Sequence, residues 1–137
     1  GRPVRGAPVM VTHLSQEWLD LQRELSVGLP PVDGASARIQ HVVTGVPGGD
    51  VKYSTVIVDG VIAANEVGVD RDAEVTVTTT YDDAVAILRG ELDPNAAFMQ
   101  GRVKVVGDMG PLLSVMPLVR RSERVAAREA LAERTEL

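Results

Sequence analysis

Apolar side chains recur along this chain first at helical spacing, then on alternate residues, then at helical spacing again. In "SQEWLDLQREL", Trp18, Leu21 and Leu25, with Leu19 beside them, make one stripe; Ser15 supplies an N-cap and "GLPP" a stop, which predicts a first helix. The period then drops to two in "ARIQHVVTG", "VKYSTVIVDG", "VIAANEVG" and "EVTVTTT". Between them, "VPGGD", Asp59-Gly60 and "VDRD" carry turn chemistry, so the pattern predicts four consecutive antiparallel strands in a meander. In the last strand Val75, Val77 and Thr79 share one face and Glu74, Thr76, Thr78 and Thr80 the other, as in a sheet covered on one side.

Beyond Thr80 the helical period returns. Thr80 stands three residues before Asp83 in a capping-box arrangement, and Gly90 ends the short helix that follows. A second short helix has Asp93 at its N-cap, Pro94 at its first position and Gly101 as its stop. "RVKVV" reads as a strand with Val103 and Val105 on one face, and "GDMG" turns the chain, with Asp108 as cap, into a segment from Met109 to Val119 in which only Gly110 and Ser114 are not apolar. A helix apolar on all sides is either a central core helix or one with an apolar guest against it. Pro117 removes a backbone donor and should kink or end that helix early.

Composition narrows the function classes. A chain of 137 residues is one domain by length and buries roughly two-thirds of its unfolded surface. It is 45% hydrophobic but only 3% aromatic, so its interior is built from small aliphatic side chains. The net charge is −5 and the basic residues are scattered, which argues against nucleic acid. Without cysteine there is no disulfide framework or thiolate metal site, and no apolar run reaches the length of a membrane span, so a cytoplasmic protein is expected. The expected organisation is a Pro/Gly/Arg-rich flexible leader over 1–12, a domain over 13–119 and a charged C-terminal helix over 120–137.

The stretch "DAEVTVTTTYDDAVAILRGELDPNAAFMQGRVKVVGDMG" resembles the signature half of the sterol carrier protein type 2 family, and element order agrees with that family from about Ser15 to Val119. The resemblance implies an α+β fold: a five-stranded, mostly antiparallel sheet covered on one face by helices that enclose an apolar tunnel. It also implies non-catalytic carriage of a sterol, fatty acid or fatty acyl-CoA, with no cofactor. On that reading the Met109–Val119 helix borders the tunnel. Sheet and helix phasing nominate Ile39, His41, Val43, Leu88, Phe98, Val105, Met109, Leu112, Leu113 and Met116 as lining. The competing reading is a scaffold that oligomerises or supports a lipid-metabolising enzyme. Transient membrane contact, a homodimer or such an enzyme are the partners to consider besides the lipid.

The remaining chemistry is sparse. His41 shares a face with Ile39 and Val43, where its imidazole either finds a partner in the core or meets a ligand hydroxyl or carboxylate. His13 falls at the leader and is given no role. There is no G-x-S-x-G or H-E-x-x-H motif, and adjacent Asp82 and Asp83 read as helix-start charges, so no enzyme is expected. A catalytic reading would need a dispersed triad such as Ser54, His41 and Asp59. The tail from Arg120 carries five Arg against four Glu, with Ser122 as the expected cap; it reads as a solvated helix, with a lid or a self-association helix as alternatives.

Overall fold

The computed structural model describes residues 9–137. Most of the expected leader, residues 1–8, lies outside the described residues. The elements are β1 (Val11–Thr12), α1 (Gln16–Ser26), β2 (Ala37–Thr44), β3 (Val51–Val58), β4 (Val61–Val67), β5 (Val75–Thr80), α2 (Tyr81–Leu88), α3 (Pro94–Met99), β6 (Lys104–Gly107) and α4 (Met109–Val115). A 3-10 turn (Met116–Arg120), α5 (Ser122–Glu133) and β7 (Thr135–Glu136) complete the chain.

Local chemistry sets the helix starts. The Ser15 hydroxyl accepts from the Trp18 amide, Thr80 from Asp83, and the carboxylates of Asp93 and Asp108 from the amides of Asn95 and Gly110. Pro117 acts as expected: the α-helix ends at Val115 and the chain tightens into the 3-10 turn. The cap expected at Ser122 is not made; Arg121 holds that position without a side-chain hydrogen bond, and the Ser122 hydroxyl lies against Glu123.

The five-stranded sheet has the order β4-β3-β2-β5-β6. Asp59 (φ 47°) and Gly60 (φ 83°) form the two-residue turn of the β3–β4 hairpin. The meander stops there. β5 does not join β4 but pairs in parallel with β2, so the sheet is mixed, with the other three ladders antiparallel. The reason lies on the face of β2 opposite Ile39 and His41. There the Gln40 amide donates to the carbonyls of Tyr53 and Gly68 (both 3.0 Å) and accepts from the Asp70 amide (2.8 Å). Arg38 pairs with Asp70 at 3.0 Å. These bonds carry the 68–74 connection past β3 and β2, and seat β5 on the far side.

The two ends of the chain close on each other. β1 and β7 pair in parallel, the Trp18 indole donates to the Thr135 hydroxyl (3.0 Å), and that hydroxyl donates to the Leu131 carbonyl (2.6 Å). Val11 and Thr12, expected in the leader, are therefore part of the fold. α5, expected to be solvated, packs on α1 and buries Leu131. Helices cover one face of the sheet, and beneath them the buried apolar residues fall into two clusters. One holds Val11, Leu14, Trp18, Leu19, Leu21, Val43, Leu88 and Leu131. The other holds Ala35, Ala37, Ile39, Val75, Val115 and Leu118.

Candidate functional site

On β2, Val43 belongs to the first cluster and Ile39 to the second, and His41 stands between them. A cavity of about 710 Å³ opens around these positions, within the range of roughly 300–1,000 Å³ usual for small-molecule sites. Its floor is the helix-side face of β2, β3 and β5, and α1, α2, α3, α4, the 3-10 turn and α5 supply its walls. Small aliphatic side chains account for the space, because few residues are bulky enough to bridge the two clusters.

Of the nominated residues, Ile39, His41, Val43, Leu88, Phe98, Val105, Leu112 and Met116 line this cavity. Met109 and Leu113 do not. Leu112 and Met116, four residues apart, share a face; Leu113 is turned about 100° from Leu112 and is 55% exposed. Met109, in the first turn of α4, is half-buried off the cavity. The apolar segment is thus a helix and a turn with one flank on the cavity, not one helix covered all round. The triad is not assembled. Ser54 sits opposite Gln40 on the other sheet face, and the Asp59 carboxylate accepts from the Gly34 amide at the hairpin end.

One end of the cavity gathers Trp18, Tyr53 and both histidines, with Tyr81 behind His13. The β2–β3 register sets Tyr53 across from His41, and the rings stack at 4.4 Å with 15° between planes. Trp18 stands edge-on to Tyr53 at 6.4 Å, and His13 edge-on to Trp18 at 4.9 Å and 5.8 Å from Tyr81. Burial pushes both imidazoles down from 6.5 to about 4 and raises the Tyr53 phenol above its ordinary value. The surface His41 keeps faces the cavity, so it is remote from bulk water although not fully covered. His13 is only 8% exposed and its Nδ1 has no hydrogen-bond partner among the described residues.

Another part of the lining is charged. Asp93 and Arg120 form an ion pair at 2.7 Å, and that guanidinium holds the Asp93 carboxyl below the usual carboxylate range. Arg124 and Arg128 of α5 also face the cavity.

Sequence reasoning did not name His13, Trp18 or Tyr53 as lining, and it placed α5 over the cavity only as an alternative to a solvated helix. The signal for α5 was present: Arg124, Ala127, Arg128 and Leu131 follow the i, i+3, i+4, i+7 spacing of an inward face. Two arginines on that stripe disguised it as a solvated one. His13 carried no local signal, because only the β1–β7 pairing turns it inward.

Together the fold and site define an α+β domain in which helices wall an apolar cavity over one face of a mixed sheet. A sequence model of the SCP-2 sterol transfer family matches residues 19–120, and the chain belongs to that family. "Sterol carrier protein 2" of Gallus gallus is 35% identical over 77 residues, 53% of this chain and 13% of that protein. The Homo sapiens protein of the same name is 34% identical over 77 residues. The chain thus covers 13% of the length of these relatives. A crystal structure of sterol carrier protein 2 superposes with a TM-score of 0.68 at 15% identity, covering 85% of this chain and 98% of that one. The solution structure of palmitated SCP2L2 from Aedes aegypti gives 0.61 at 20% identity, covering 78% and 96%. At such identities the likeness shows the shared fold.

Proposed function

We propose that this domain takes up one apolar lipid, buries its hydrocarbon body in the cavity and releases it unchanged, as a carrier in the cytoplasm. Sterols, fatty acids and fatty acyl-CoA are the ligand classes to consider. The observation that carries this reading is the space of about 710 Å³ between two separately packed apolar clusters. An empty apolar cavity forfeits the contacts that a guest restores. A chain of about twelve carbons contributes ~9 kcal/mol gross at about 0.8 kcal/mol per methylene. Association costs of roughly 4–15 kcal/mol offset much of that, so the chain alone leaves at most about 5 kcal/mol, an affinity no tighter than about 0.2 mM. A carrier needs such affinity, because it must let go.

Native mass spectrometry of the purified protein, followed by displacement of a fluorescent fatty acid, tests the reading. Co-purified or displaceable lipid at one equivalent is expected; an assembly that takes up no lipid would replace the carrier with a scaffold. Incubation with acyl-CoA or aryl esters should give no turnover, and turnover lost in His41→Ala would make the domain an enzyme.

A further inference from the structure

Among the described residues, the charged groups that line the cavity are three arginines, Arg120, Arg124 and Arg128, and one carboxylate, Asp93. Arg120 and Asp93 neutralise each other. Arg124 and Arg128 remain, one turn apart on the inner face of α5, in a protein of net charge −5. Their nearest carboxylates, Glu123 and Glu129, belong to α5 itself. Glu129 is well exposed and reaches Arg128 only at 3.8 Å, and Glu123 is engaged with Arg121 at 3.2 Å.

Both guanidinium groups are held in place by backbone rather than by acids. Arg124 donates to the carbonyl of Gly60, and Arg128 to that of Leu88 at 2.9 Å. Each also rests on a glycine with a positive φ. A Cβ on Gly60 would meet Arg124 Nη2 at 3.3 Å, and one on Gly90 would meet Arg128 Nη1 at 2.7 Å. The β3–β4 turn and the end of α2 therefore bring the two guanidinium groups close against the backbone at Gly60 and Gly90. The Arg124 Nε–H is buried without an acceptor among the described residues, and burial lowers the pKa of that guanidinium. Two fixed, partly desolvated cations with donors to spare are unfavourable facing an apolar space, unless an acceptor of opposite charge arrives with the ligand.

The geometry points to Arg124 and Arg128 as a seat for an anionic head, so that the cavity selects amphiphiles with one small carboxylate or phosphate over neutral lipids of equal chain length. This rests on the carrier reading, whose apolar cavity takes the tail. The head lies under α5 at the two guanidinium groups, and the tail lies along the apolar lining.

Titrations of the whole chain with dodecanoate, dodecyl phosphate and 1-dodecanol test it. Either anion should bind at least about tenfold more tightly than the alcohol, and the tighter of the two identifies the head. In an Arg124→Gln/Arg128→Gln double variant the ratio of anion to alcohol affinity should fall at least about fivefold. Arg121→Gln, which removes an exposed charge outside the cavity, should keep the ratio. Equal binding of anions and alcohol by the unmodified protein, or an unchanged ratio in the double variant, overturns the seat and leaves the carrier intact. Binding of none of the three overturns the carrier and the seat with it. A measurement that needs no variant is carbon-13 NMR of carboxyl-labelled dodecanoate in the complex. Its carboxyl pKa should lie below that of the free acid; a raised value, as an apolar wall without cations produces, overturns the seat.

Discussion

His41 offers the sharpest link between the cavity and a solution measurement. Its imidazole lies between the two apolar clusters, stacked on Tyr53, and burial brings its pKa from 6.5 to about 4. A folded pKa below the unfolded one means that the unfolded chain binds the proton first. The stability due to the neutral ring is therefore complete above about pH 6.5 and is lost as pH falls from there towards about 4. From these two values the loss is ~2 kcal/mol at pH 5 and ~3 kcal/mol at pH 4. His41→Phe keeps an aromatic ring against Tyr53 and removes the proton site. Urea unfolding of both proteins at pH 7.5 and pH 5 isolates the effect, because the carboxylates and His13 are common to both. The unmodified protein should lose about 2 kcal/mol more than His41→Phe over that interval. Equal losses would show that the ring is solvated in the folded state, and would refute its burial between the two clusters.

Replacing Leu112 by Trp fills the cavity from α4 and should weaken displacement of a fluorescent fatty acid by about tenfold or more, whereas Leu113→Trp, on the exposed side, should bind as before. Asn65, 1% exposed on β4, accepts from the Thr55 hydroxyl and donates to the Leu19 carbonyl and Gln22; Asn65→Ala strands these groups and should cost about 3 kcal/mol by chemical denaturation. Trp18→Phe keeps a ring in the first cluster but loses the bond to Thr135. It should cost about 1 kcal/mol and speed hydrogen exchange at the Val11 and His13 amides, which donate to the carbonyls of Arg134 and Glu136.

The sequence by itself determined the elements, their ends and their inner faces where the deciding contacts are local. The caps at Ser15, Thr80, Asp93 and Asp108 each reach two or three residues along the chain, and Pro117 acts on its own turn. Alternation along β2 was enough to place Ile39, His41 and Val43 together. The family motif, concentrated between Leu92 and Gly110, pointed to the helix-covered sheet. What only the tertiary structure decided are adjacencies between distant segments. β5 lies beside β2 because Gln40 and Arg38 hold a connection some thirty residues ahead, and period two says nothing of neighbours. His13 reaches the cavity because β7, more than a hundred residues away, pairs with β1. The inner face of α5 is written in its spacing, but that Arg124 and Arg128 meet the carbonyls of Gly60 and Leu88 is decided only when the chain closes. The cavity itself is the space two clusters fail to fill, a difference between packed volumes that exists only once the chain has closed.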